Sequence, residues 1–270
     1  MISSSFAGSS DAEVLIDTHV HLDAAEFDTD RAAVIRAAQL AGVGRFVLPA
    51  IELANCQMVH DLAQQLPDST CAFGIHPLYV DRADAADLSA LRALLAEGGA
   101  VALGEIGLDG HQGSPDVVRQ EWFLVEQLKL AREFDLPVIL HVRGALDRVL
   151  KYLRRYRVRG GIAHAFNGSF QQAQAFMDLN FKLGFGGTMT YAGSTRIRAL
   201  ATNLPLEAIV LESDAPDIPP AWAPKQRNEP VNVARYAEVL AGLRGIDLAE
   251  VACATSANAC SALGLQNMPK

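Results

Sequence analysis

Asp17-Thr18-His19-Val20-His21 places two imidazoles two residues apart. In an extended strand, side chains at i and i+2 face the same way, so His19 and His21 would form a bidentate seat for a transition metal. Comparable groups recur along the chain: His76 in GIHP, Glu105 and Asp109 in GEIGLD, His141 and Arg143 in LHVR, His164 in AHAF, and Glu212 and Asp214 in ESDAP. Each stands at the end of a short apolar run. Taken singly, any one of them also reads as a paired carboxylate, a hydrogen-bonded core histidine or a loop cap. Taken together at one barrel mouth, that many buried ionisable groups would be costly without a compensating cation.

Four histidines (His19, His21, His141, His164) with Glu105 and Asp214 make a nitrogen and oxygen donor set suited to Zn²⁺, Mn²⁺, Fe²⁺ or, less well, Mg²⁺. The number of ligands points to two divalent ions. His19, His21 and Asp214 would hold one, His141 and His164 the other, with Glu105 bridging at a separation of roughly 3.5 to 4 Å. A water shared by such a pair would be acidified to hydroxide near neutral pH and would attack an ester or phosphodiester. Asp214 is the group to orient or deprotonate it. Arg143, two residues beyond His141, offers a guanidinium fork matched to phosphate oxygens, and His76 would donate to a phosphate or a leaving group. The expected catalytic groups are therefore Asp214, Glu105, His76 and Arg143. Asp109 reads either as a rim group or as a loop cap, the turn Arg227–Pro230 as a loop clasp, and Glu212 as a support for the site. His60, on a predicted helix, and His111, in a loop, read as surface residues.

The elements that must position these groups alternate. Predicted strands run over Val14–His21, Arg45–Ile51, Thr70–His76, Ala100–Leu108, Pro137–Val142, Gly161–Phe166, Phe181–Gly186 and Ile209–Asp214. Between them, Asp30–Ala41, Leu53–Leu66, Asp84–Glu97, Asp116–Phe134 and Phe170–Leu179 show helical periodicity. Helices Val231–Leu243 and Leu248–Leu263 follow the eighth strand, the second capped by Asp247. The pattern is α/β, with parallel βαβ units. Eight such units favour a single (β/α)₈ barrel of the TIM type, with an additional C-terminal helix, over a doubly wound open sheet. The Pro-rich stretch Pro216–Pro230 reads as a loop inside one domain, so the barrel is expected over residues 13–266, preceded by a flexible tail, residues 1–12.

The chain of 270 residues carries a formal charge of −8, so no global basic field is available to bind nucleic acid. DNA would have to be held locally, by metals, Arg143 and either Lys225 or Arg227. No apolar run approaches the roughly 18 residues of a membrane span, and the Ser-rich opening lacks the anatomy of a secretory signal. Cys56, Cys71, Cys253 and Cys260 form no C-x-x-C pair, which fits a reduced, cytoplasmic protein. Cys253 and Cys260, seven apart, read as core residues of one helical face.

In order along the chain, IDTHVHLD, GIHP, GEIGLD, PVILHVR, HAFNGS, LGFGGTMTY, ESDAPDIPP and RNEP closely resemble the TatD-like metal-dependent deoxyribonucleases of the amidohydrolase superfamily. The resemblance spans about residues 14 to 264. It implies metal ligation by His19, His21, Glu105, His141, His164 and Asp214, with His76 and Arg143 beside a substrate phosphate. It also implies hydrolysis of DNA phosphodiesters from the 3′ end, on single strands or 3′ ends, by a monomer using two divalent ions (Zn, Mn or Mg). The chain departs from the family at Ala165, where many members have Cys, at Ser213, a common Thr, and at Gly110-His111, which replaces an aromatic pair. None of these removes a ligand, but the last alters the rim that selects substrate. The same cage would also serve a carboxylic ester or amide hydrolase, such as a D-aminoacyl-tRNA deacylase. A non-catalytic scaffold with a vestigial site is the third reading, disfavoured by the intact ligand set.

Overall fold

In the computed structural model, which describes residues 14–265, eight short strands each pair in parallel with the next in sequence. They are β1 (Leu15–Asp17), β2 (Val43–Pro49), β3 (Thr70–Phe73), β4 (Ala100–Asp109), β5 (Val138–Arg143), β6 (Gly161–Ala163), β7 (Phe181–Phe185) and β8 (Ile209–Leu211). The order β1 through β8 is sequential, without the reversal that a doubly wound sheet requires. Beyond the end of β1, Thr18 donates through both its backbone N–H and its hydroxyl to the Leu211 carbonyl, at 3.1 and 3.0 Å, and so joins β1 to β8 and closes the ring.

Helices α1 (Arg31–Leu40), α2 (Cys56–Gln64), α3 (Ala85–Glu97), α4 (Val117–Glu133), α5 (Leu146–Arg155), α6 (Phe170–Met177), α7 (Thr195–Asn203) and α8 (Asn232–Arg244) follow β1 to β8 in turn, and α9 (Leu248–Leu263) is the extra C-terminal helix. Strands buried on both faces read as continuous apolar runs, and two cores result. The larger lies between the strands and the helical ring. The smaller gathers Ile16, Val47, Ala72, Ala102, Ile139, Ile162 and Val210 inside the barrel, against Ala259, Cys260 and Leu263 of α9. That second core fixes the site: two residues beyond Ile139, Ile162 and Val210 on the same face stand His141, His164 and Glu212.

Several expectations need correction. Most strands end earlier than predicted: β1 stops at Asp17, β6 at Ala163 and β8 at Leu211, so His19, His21, His164 and Asp214 lie on the turns that follow. Those backbones leave the ladder to turn across the barrel mouth. The predicted helix Leu53–Leu66 opens with a separate turn of 3-10 helix at Leu53–Asn55. Helices α5 and α7 complete units for which no helix had been predicted. Asp247 stands at the N-cap of α9 without a side-chain capping bond. Cys253 is exposed whereas Cys260 is buried, because the buried arc of α9 widens only toward its C-terminal half, where Asn258, Ala259, Cys260, Ala262 and Leu263 are all covered. His60 is half-buried, its ring 6.2 Å from that of Phe73, whereas His111 is exposed. The expected tail at residues 1–12 lies outside the described residues. Among the described residues, no helix is long and apolar enough to cross a membrane.

Candidate metal centre

The groups scattered over the sequence meet at the C-terminal ends of the strands, where barrel enzymes build their sites. His19 and His21, although beyond the strand, bring their Nε2 atoms to 3.3 Å. The Glu105 carboxylate lies at the middle: Oε2 is 3.1 Å from His19 Nε2 and 3.7 Å from His21 Nε2. Its Oε1 is 3.0 Å from His141 Nδ1 and 3.5 Å from both His76 Nε2 and His164 Nε2. Asp214 Oδ1 stands 3.7 Å from both His19 Nε2 and His21 Nε2. The Asp214 N–H donates to the His19 carbonyl at 2.8 Å, which locks the turn after β8 to the turn after β1. All six expected ligands and His76 therefore meet in one small volume.

Three overlapping triads bring one donor atom each to within 4.8 Å of one another: His19, Glu105 and His164; His19, His21 and Asp214; and His76, Glu105 and His141. The ring atoms turned away from the centre decide what faces it. Asp109 Oδ2 lies 3.0 Å from His141 Nε2. A carboxylate can only accept there, so the ring donates from Nε2, and Nδ1 is the atom that faces Glu105. Glu212 Oε1 stands 3.3 Å from His164 Nδ1, an ion-pair distance without the geometry of a hydrogen bond, and Nε2 faces the centre. His76 differs, because its Nδ1 accepts from the Leu78 N–H at 3.1 Å, so the proton is on Nε2 and that atom is a donor. Lone pairs crowded to 3.0 Å around a buried carboxylate repel unless a proton or a cation lies between them. The nitrogen and oxygen donor set fits a borderline divalent metal such as zinc.

The electrostatics record this crowding. Burial, followed by the charge of His164, pushes the His19 imidazole down to about 3. Burial alone would depress His164 too, but the carboxylates of Asp214, Glu212 and Glu105 overcome it and hold the ring up at about 10. Burial also works against ionised Glu105, yet His19, His76 and His164 outweigh it and keep its carboxyl well below the usual range. Burial pushes Asp214 up to about 6. Asp109 is held low against its burial, by the hydrogen bond to His141 and then by the His111 N–H and the Ser114 hydroxyl.

Three supports were under-read from sequence. Asp109, left between rim group and cap, does both: Oδ1 accepts from the His111 N–H and the Ser114 hydroxyl, each at 2.8 Å, while Oδ2 orients His141. Glu212, expected as a support for the site, stands beside His164 and accepts from the Ala165 N–H at 2.5 Å. Its carboxylate occupies the space a side chain at residue 184 would fill, since a Cβ on Gly184 would meet Glu212 Oε2 at 2.1 Å. Asp17, pushed up to about 8 by burial, accepts through Oδ1 from the His19 and Ser213 N–H groups and so ties β1 to β8. Its position two residues before His19 was the available signal.

Above the centre opens a cavity of about 1160 Å³. Arg143 lines it, exposed, as do His76 and Asp214. Lys225 and Arg227 do not. Arg227 is instead the expected loop clasp: it is paired to Asp30 at 2.8 Å and Glu229 at 2.8 Å, over the Phe27 ring. Beside it, Asn228 donates to the Ser213 and Ile218 carbonyls at 2.7 and 3.2 Å and so folds the loop after β8.

Against known proteins, the family model described as TatD related DNase matches residues 16–264. An Escherichia coli relative named uncharacterized metal-dependent hydrolase YjjV is 41% identical over 240 residues, covering 88% of this chain and 93% of that protein. The crystal structure of YjjV from E. coli, described as a TatD homolog, superposes with a TM-score of 0.90, at 39% identity, over 93% of this chain and 98% of that one. The E. coli protein named 3′-5′ ssDNA/RNA exonuclease TatD is 30% identical over 258 residues, 93% of this chain and 99% of that protein. With barrel, centre and relatives in agreement, this chain belongs to the TatD-related DNase family of metal-dependent hydrolases.

Proposed function

We propose that the protein is a deoxyribonuclease that removes nucleotides from the 3′ ends of single-stranded DNA by metal-assisted hydrolysis of the phosphodiester. The observation that carries this reading is the convergence of His19, His21, His76, Glu105, His141, His164 and Asp214 on one centre, all but His19 lining the cavity. The kinship with a relative named as a 3′-5′ exonuclease supports the substrate. At about 1160 Å³ the cavity exceeds the roughly 300–1,000 Å³ of a small-molecule pocket, which suits a strand.

In this reading His19, His21 and Asp214 would hold one divalent ion and His141 and His164 a second, with Glu105 available to both. When bound, such ions polarise a phosphoryl oxygen and lower the pKa of water toward about 7. His76 is left out of the cage because Leu78 holds its proton on Nε2, and it donates that proton to a phosphoryl oxygen. Arg143 adds a guanidinium fork to the same phosphate. Asp214, on the cavity wall beside His19 and His21, would take the proton of the attacking water.

The test is stripped protein reloaded separately with Mg²⁺, Mn²⁺ and Zn²⁺, offered DNA labelled at the 5′ or the 3′ end as single strand and as duplex. The reading expects early release of the 3′ label and stepwise shortening of 5′-labelled strands. Absence of nucleotide release with every metal would refute it.

A further inference from the structure

The mouth of the cavity is electrically divided. Over the turns that follow β8 and β1 it carries Asp23, Glu26 and Asp217, whereas over the turns that follow β5 and β7 it carries Arg143, Arg148 and Arg196. Two of these arginines differ from the protein's other rim cations. Arg148 leans on Glu121 at 3.6 Å, and Arg227, at the clasp, is held by two carboxylates. Arg143 and Arg196 have no carboxylate within 4.0 Å among the described residues. Arg196, exposed in the first turn of α7, is instead aimed by a neutral group: its Nη2 donates to Asn167 Oδ1, on the turn after β6, at 2.6 Å. Asn167 orients the guanidinium without neutralising it. Of the acids on this side, Asp109 is taken up by His141, and Asp147 accepts from Gln172 at 2.9 Å; neither makes an ion pair with Arg143 or Arg196. A chain of formal charge −8 thus keeps two uncompensated cations on one side of its site, where low-dielectric walls focus their field.

Arg143, two residues from His141, serves the reacting phosphate under the nuclease reading, on which the present inference rests. Arg196 enters from a different element, two strands further round the ring. We propose that Arg196, aimed by Asn167, is the specificity residue of a second phosphate subsite. It grips the phosphate next to the reacting one, so that the substrate is a nucleic-acid strand laid from the centre across the turns after β5, β6 and β7. The acidic half of the mouth, over β8 and β1, repels a strand that would run the other way. Such a site favours a polynucleotide over an isolated phosphate diester.

The test uses phosphorothioate-linked thymidine dinucleotides carrying no terminal phosphate, a 5′ phosphate or a 3′ phosphate, titrated calorimetrically into metal-loaded protein. One of the two phosphorylated ligands should bind the wild type about tenfold more tightly than the unphosphorylated one, the gain of a charge-assisted hydrogen-bonded contact. Arg196→Ala should erase that advantage and Arg196→Lys should retain part of it. The salt dependence of KM for oligothymidylate should lose about 0.7 in logarithmic slope in the alanine variant, one phosphate contact on a single strand. No advantage from either terminal phosphate, or an advantage that survives in Arg196→Ala, would overturn the subsite. Hydrolysis of bis(p-nitrophenyl) phosphate and of oligothymidylate, measured alongside, judges the nuclease reading separately. Binding that tracks Arg196 without any hydrolysis would sink only the nuclease, and hydrolysis without the binding advantage would sink only the subsite.

Discussion

Replacing Glu212 with Gln tests how far the metal centre depends on a carboxylate that stands behind His164. Glu212 is buried, with Oε1 3.3 Å from His164 Nδ1 and 2.5 Å from the Ala165 N–H, while Oε2 is buried without a partner. The amide keeps the shape and can still accept from Ala165, but it removes the negative charge that makes His164 a basic ligand. Removing such an outer partner typically costs 10- to 100-fold in metal affinity. The 3.3 Å contact is longer than the roughly 2.7–2.9 Å of a strong charge-assisted bond, which puts the loss near the lower end, about tenfold or about 1.4 kcal/mol. Stability of the metal-free protein should fall near neutral pH, since Glu212 is one of the carboxylates that hold the buried His164 ring up at about 10, and a charged ring then loses a partner. Competition against a chromogenic chelator reads the first quantity, and thermal melting of the stripped protein the second. Unchanged metal affinity, or a metal-free melting temperature that does not fall, would show that Glu212 is only a packing group and refute the reasoning.

Three further outcomes follow from the geometry. Glu105→Ala should lower turnover by at least about a hundredfold, as expected for a ligand common to two triads, while far-ultraviolet circular dichroism stays that of the wild type; global unfolding would contradict a rim site separable from the core. Gly184→Ala should cost about 1–3 kcal/mol in a urea melt and also weaken metal binding, because its Cβ would strike Glu212 Oε2; a neutral result would mean that the carboxylate moves freely. The hydrogen bond from Arg227 holds the Asp30 carboxyl below its ordinary value, so its contribution is complete above the unfolded pKa of about 3.9 and disappears as pH falls through the lower folded value. The stability gap between wild type and Asp30→Asn should therefore be level near neutrality and close in acid, and a gap that persists in acid would argue against the clasp.

The number of strands, their parallel alternation and the gathering of ligands at one end could be read from residue pattern alone, because each strand is a short β-rich run and each polar group interrupts an apolar environment. The reason that His19 and His21 converge could not. Period-two alternation presumes a strand, yet β1 ends at Asp17 and the pair is brought together on a turn held by Asp17 Oδ1 and the Asp214 N–H. Helix α7 escaped because only Ile197, Leu200 and Ala201 mark its buried face, and α5 because charged residues outnumber its buried Val149, Leu150 and Leu153. The part of Asp109 in orienting His141 is a tertiary fact. Its carboxylate looks like any loop cap until His141, 32 residues away, is seen 3.0 Å from it.

The chemistry proposed for this protein needs a shared cage of donors around Glu105. Its most direct test is anomalous diffraction from crystals of the protein grown with Zn²⁺ or Mn²⁺. Two peaks are predicted: one within bonding distance of His19, His21 and Asp214, the other beside His141 Nδ1 and His164 Nε2, with Glu105 reaching both. A single peak away from Glu105, or none at these residues, would contradict it.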